Sequence, residues 1–106
     1  MFTRTIELNL KPDNKPAFFN KFKTEVTPIL KKTPGFFDIV VLENVTVPNK
    51  VVTISFWENQ KHAENYEKQW YPKAKTILDP YFATPPIVQY YNVEETLTEK
   101  LFTAMV

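Results

Sequence analysis

The chain opens on strict alternation. In residues 2–10, FTRTIELNL, Phe2, Ile6, Leu8 and Leu10 share one face, while Thr3, Thr5, Glu7 and Asn9 share the other. A period of two predicts a half-buried strand. Arg4 interrupts the apolar face, and the expected place for it is near an edge, its guanidinium reaching water along an apolar stem. The period then lengthens. Asp13 is a candidate N-cap, and Pro16 falls in the first turn, where a missing N–H costs nothing. Phe19, Phe22, Val26, Ile29 and Leu30 recur at i, i+3, i+7, i+10 and i+11, one apolar stripe of a helix. Pro28 inside that stripe predicts a kink or a loosened last turn. Pro34-Gly35 stops the helix.

Residues 36–43, FFDIVVLE, read as a second strand that is apolar on both faces. Val47-Pro48-Asn49-Lys50 is a turn signal, and residues 51–57, VVTISFW, make the partner strand of a hairpin. Asn59 is placed to cap a second helix, whose stripe runs Ala63, Tyr66, Trp70, Ala74, Ile77, Leu78. Pro72 predicts a bend or split near Tyr71, and Asp79-Pro80 ends the helix. After Pro85-Pro86, residues 87–93, IVQYYNV, form a last strand. Strand, helix, strand, strand, helix, strand is an α+β order. Right-handed crossovers fold it into a ferredoxin-like βαββαβ domain, a four-stranded antiparallel sheet with two helices on one face.

Two helices cover only one side of such a sheet. Yet Phe36, Val40 and Leu42 oppose Phe37, Ile39 and Val41, and Tyr91 and Val93 oppose Val88 and Tyr90. An antiparallel sheet with a wet face alternates more cleanly. A second copy of the sheet is the simplest cover, so a homodimer is expected. Residues 94–106 then form an amphipathic tail beyond the 1–93 domain. Its Leu97, Leu101, Phe102 and Met105 expose too much apolar surface to hang free, and docking on the partner subunit is the expectation.

Composition narrows the chemistry. The 106 residues suit one domain. Thirteen basic residues against 12 acidic ones leave a charge of +1 with no basic patch, which argues against a nucleic-acid partner. Cysteine is absent, which removes disulfides, thiolate metal sites and cysteine nucleophiles and suits the cytoplasm. A single histidine, His62, rules out a multi-histidine metal site. A single glycine, Gly35, rules out the glycine-rich nucleotide loops. No stretch approaches the ~18 apolar residues of a membrane span. No metal and no cofactor are expected.

The element order resembles the antibiotic biosynthesis monooxygenase (ABM) family of dimeric α/β barrels, over about residues 2–93. Three local features carry the likeness: Lys11-Pro12 closing the first strand, Pro34-Gly35-Phe36 opening the second, and the run Trp57-Glu58-Asn59 to His62 and Glu64. That run is similar to the quinol-monooxygenase branch. The resemblance implies oxygenation of small phenols, quinols or polycyclic aromatics without metal or flavin. Another branch binds and cleaves haem, but its tryptophan and histidine positions hold Tyr66 and Thr76 here, and Asn9 is shifted from its asparagine. Haem is disfavoured.

Cofactor-free oxygenation asks for a base, donors for a developing oxyanion, and a dry apolar pocket. His62 has the only side chain with an ordinary pKa near neutrality and is the candidate base; the dull reading is a half-exposed helix residue. The Trp57 indole N–H is a candidate ligand donor, against a packing role under the helix. Asn9 is a candidate polar contact, either to ligand or within a sheet interface. Tyr66 and Trp70 share the inward stripe, where a ring clamp competes with plain core. Phe22 of the first helix, with Tyr71, Tyr81 and Phe82 flanking the bend, completes the candidate pocket wall. The alternative to an enzyme is a non-catalytic dimeric barrel that binds a small aromatic ligand or serves a stress response.

Overall fold

The computed structural model describes residues 1–94, so the tail expectation lies outside the described residues. β1 (Phe2–Asn9) is followed by a helical segment in three parts: α1 (Lys15–Lys21), a π-helical turn (Phe22–Val26) and α2 (Thr27–Lys32). β2 (Phe36–Glu43) and β3 (Lys50–Trp57) form the hairpin. α3 (Gln60–Gln69) and α4 (Tyr71–Leu78) follow, then a 3₁₀ turn (Asp79–Tyr81) and β4 (Ile87–Asn92). Among the described residues, four strands pair antiparallel in the order β2-β3-β1-β4. This is the ferredoxin-like arrangement, with the helices packed on one face.

Each break in a helix has a local cause. Pro28 has no N–H for the carbonyl one turn back, and its ring crowds that carbonyl. The chain responds upstream by widening into a π turn, in which the Thr27 N–H reaches back to the Phe22 oxygen. Phe22 and Val26 are buried by this turn and Phe18 by α1, although the stripe read from the sequence had Phe19 in that row. Pro72 acts similarly: Trp70 sits between α3 and α4 with φ −119°, and a new helix starts at Tyr71. Asn59 caps α3, its Oδ1 accepting from the His62 N–H at 3.0 Å. Asn14, with no side-chain cap bond, takes the place expected of Asp13 before α1, while Asp13 itself is left-handed at φ 65°.

The core lies between the inner sheet face and the helices. Leu8, Val51 and Trp57 of the sheet meet Phe18, Leu30, Ala63 and Leu78 of the helices. Pairing of Arg4 with Ser55 and of Ser55 with Ile39 puts all three on this inner face. The register of β2 shifts between Phe36 and Asp38. Because of that irregularity Phe36 packs inward on Trp57, with ring centroids 5.4 Å apart, instead of facing outward with Val40 and Leu42. On the opposite face, Val40, Leu42, Ile87 and Tyr91 are exposed, and no helix among the described residues covers them. Among the described residues, no helix is long and apolar enough to cross a membrane.

Gly35 connects α2 to β2 at φ 79°, and its O accepts from the Glu58 N–H at 2.8 Å. A Cβ there would stand 2.2 Å from His62 Cγ and 2.5 Å from His62 Cβ, so the ring fills the space that glycine leaves. Gly35→Ala therefore costs stability on two counts, left-handed backbone and overlap, together about 2 kcal/mol or more. Urea midpoints check this. His62→Ala in the same chain removes the ring but keeps the Cβ, so it should recover part of the steric cost, and the two changes are expected to be less than additive.

Candidate functional site

The inner sheet face and the helices do not close completely. A cavity of about 30 Å³ remains between them, room for roughly two water molecules. Its walls are mostly aliphatic: Ile6 and Leu8 from β1, Ile39 from β2, Val26 of the π turn, Leu30, Ala74 and Leu78. Phe82 closes one end. Backbone bonds from Lys11 N to Tyr81 O and from Ala83 N to Asn9 O, at 2.9 and 2.7 Å, hold that segment against the end of β1.

Polar groups converge on this apolar space. Arg4, Thr53 and Ser55 enter from the two central strands, Tyr66 from α3 and Tyr71 from α4. Arg4 is 2% exposed, on an interior strand. This corrects its expected place at an edge with a solvated head: alternation tells which face a residue takes, not how deep its strand lies. Glu67 of α3 holds the guanidinium, its Oε2 2.7 Å from Nε and 2.6 Å from Nη2. Only the Nε contact is aligned as a hydrogen bond; Nη2 is buried and has no aligned acceptor. The guanidinium carbon lies 4.1 Å from the Tyr71 ring centre and 5.4 Å from that of Tyr66, within cation–π range.

Burial keeps the phenols protonated. It pushes Tyr66 from 10.0 up to about 12, and the opposing pull of Arg4 does not cancel it. Tyr71 and Tyr90 are raised for the same reason. Near neutrality both cavity tyrosines are therefore O–H donors. The Ser55 hydroxyl donates to the Arg4 carbonyl oxygen at 3.2 Å and accepts from the Trp57 indole N–H at 2.9 Å.

The residues expected from the sequence fall into two groups. Phe22, Tyr66, Tyr71 and Phe82 line the cavity. Trp57 is fully buried behind it, against Tyr66 at 5.1 Å, and touches the cavity only through Ser55. Tyr81 packs edge-on against Phe18. Trp70, expected on the inward stripe, is 41% exposed, because the break between α3 and α4 swings it out of phase. His62 lies over Gly35 with Nε2 3.4 Å from Glu58, and is outside the cavity lining. Asn9 is on the outer face and donates to Thr84 Oγ1 at 3.1 Å. Arg4, Thr53, Ser55 and Glu67 were not among the candidates. The signal for three of them was present: Arg4 stands among Phe2, Ile6 and Leu8 on the inward row of β1, and Thr53 and Ser55 stand between Val51 and Trp57 on that of β3. Among the described residues, no three His, Asp or Glu side chains gather as metal ligands.

A family model described as antibiotic biosynthesis monooxygenase matches residues 1–74. No curated protein matches the sequence. Among solved structures, SnoaB, a cofactor-independent oxygenase from Streptomyces nogalater, is similar at 20% identity and TM-score 0.74, over 92% of this chain and 97% of that one. A conserved protein from Methanosarcina mazei is similar at 16% identity and TM-score 0.73, over 89% and 94%. A protein of unknown function from Nitrosomonas europaea matches at 11% identity and TM-score 0.73, over 91% of each chain. At these identities the structural likeness speaks for the fold.

The raised phenol of Tyr66 has a consequence for alkaline stability. Below pH 10 it is neutral whether the chain is folded or not, so the stability that goes with its raised value is fully present. As pH rises from 10 towards about 12, the unfolded chain loses its proton first, and stability falls. Tyr66→Phe is expected to flatten this alkaline limb by an amount on the order of 2 kcal/mol. Urea midpoints at pH 8 and pH 11.5 for both proteins measure it.

Proposed function

Since the chain belongs to the antibiotic biosynthesis monooxygenase family, we propose that it is a cofactor-independent monooxygenase oxidising a small phenolic, quinol or polycyclic aromatic substrate with O2. The observation that carries this reading is an apolar cavity with Arg4, Tyr66, Tyr71, Thr53 and Ser55 turned towards it. The chemistry needs little more from the protein. A phenol that gives its proton to water, the lining holding no carboxylate or imidazole to take it, passes one electron to O2. Recombination of the two radicals forms a carbon–oxygen bond to a hydroperoxide, and loss of water from that leaves a quinone. Fixed donors in a dry site hold the anion at each stage without reorganising.

Size sorts the substrates. A cavity of about 30 Å³ does not hold a ring as it stands, so binding displaces half-buried parts of the wall outside the sheet, Tyr71, Phe82 and Lys75. The break at Trp70 and the π turn lie beside that wall and let it give. Single-ring phenols and quinols need the least displacement. The same tightness favours the second reading, a non-catalytic barrel whose cavity is only a packing gap.

The protein acts as a homodimer in this proposal, with the exposed row Val40, Leu42, Ile87 and Tyr91 against its copy. Light scattering should report twice the chain mass, and Ile54→Asp, placing a charge mid-face, should halve it.

Oxygen uptake with hydroquinones, naphthols and anthrones separates the two readings. Ala74→Leu, which fills the cavity, should lower kcat/KM at least about 10-fold in a folded protein. Uptake absent across the whole panel gives the answer to the non-catalytic barrel, and uptake unaffected by filling the cavity removes the cavity as its site.

A further inference from the structure

We infer that the cavity takes its ligand as a monoanion, the phenolate form of a small aromatic alcohol, and that Arg4 selects this charge while Glu67 sets how strongly it is held. This rests on the reading of the cavity as a ligand site, and adds the ionisation state of the ligand and the residues that choose it.

The first observation is a guanidinium buried at the cavity wall. Arg4 is 2% exposed and lines the cavity. Its Nε and Nη2 both lie against the one Glu67 oxygen, at 2.7 and 2.6 Å, although a guanidinium can donate five hydrogen bonds. Donor capacity is therefore left for an oxygen arriving in the cavity. The second is the sign of the lining. Its charged side chains are Arg4 and Lys75; Lys75 is only half-buried and is paired with Asp79 at 3.1 Å, so the buried charge is that of Arg4, and no carboxylate lines the cavity.

Glu67 neutralises Arg4 in net charge but not in place. Its side chain is 31% exposed against 3% for Arg4, and it lines a separate groove on the other side of the pair, with Phe2, Gln60, Lys68 and Tyr90. Water screens the carboxylate; hardly any reaches the guanidinium. Seen from the cavity, the pair is therefore positive. The remaining groups around Arg4, namely Tyr66 and Tyr71 from the helices and Tyr90 across from it on β4, are phenols raised by burial and uncharged near neutrality. Once the half-buried wall is displaced, a planar ring lies with its face along the aliphatic wall and its oxygen on the guanidinium edge.

4-Nitrophenol tests the proposal, because its phenolate is coloured and its phenol is not in the same band. Bound to the protein it should ionise at a pH lower than free probe by about 1–3 pH units, as an acid does beside a cation. Arg4→Met should abolish the displacement, and Arg4→Lys should keep part of it. Glu67→Gln, which removes the screened counter-charge and leaves an acceptor for Nε, should enlarge it. An unchanged or raised ionisation pH on binding overturns the inference, as does a Glu67→Gln variant identical to the parent; the latter decides the matter if Arg4→Met does not fold. Neutral 4-nitroanisole separates the two levels of the argument. If it binds while the phenolate is refused, charge selection is wrong and the cavity remains a ligand site. If neither probe binds, the cavity reading falls and takes this inference with it.

Discussion

A full positive charge buried on an interior strand is the constraint around which this domain is arranged. Arg4 comes from the inward row of β1, between Phe2 and Ile6, where alternation would place an aliphatic residue. Removing a guanidinium from water is costly unless it is paired and hydrogen-bonded. Glu67 pairs it from α3, Tyr71 stacks on it from α4, and Tyr66 stands beside it. Three side chains from the second helical segment are thereby tied to one point of the sheet. Methionine in place of arginine would pack this layer more simply. The arginine therefore adds a charge at the cavity wall that packing alone does not call for.

The cavity exists because both helical segments break beside it. A continuous helix through Phe22–Val26 would keep one stripe in phase and close on the sheet along its length. The π turn forced by Pro28 inserts an extra residue and brings Phe22 and Val26 to the cavity wall. On the other side, the break at Trp70 restarts the helix, so Tyr71 and Ala74 face inward while Trp70 turns to solvent. Two prolines, each tolerable at the start of a helix and disruptive inside one, thus do the work of shaping a site.

Much of the architecture is legible in the chain. Residues 36–43 were expected as a strand and form β2 with those bounds; Asn59 was expected as a cap and is one. The split near Tyr71 is where Pro72 puts it. These features are local, set by period, cap and proline. The site was less legible, for reasons of the same kind. Alternation put Arg4 on the apolar face but carried no information on strand order, and strand order is what buries it. Parity placed Phe36 with Val40 until a one-residue irregularity reversed it. The helical stripe ran Trp70 inward because a stripe assumes an unbroken helix. His62 drew attention by its chemistry alone; its position over Gly35 depends on the turn geometry of a distant segment.

The two faces of the sheet are not independent. β1 and β3 are the interior strands, and they carry Arg4, Thr53 and Ser55 inward while Thr5, Val52 and Ile54 point outward from the neighbouring positions. Any shift of register that moved the outer row would move the inner row with it, since side chains alternate along regularly paired strands such as these two. A partner seated on the outer row therefore pins the strands that hold the guanidinium and hydroxyls. Rigid placement of donors is what makes them effective against developing charge. On the proposed reading, association through one face and recognition at the other would be two uses of a single pair of strands. A dimer contact would matter to the cavity even though none of its residues came near the ligand.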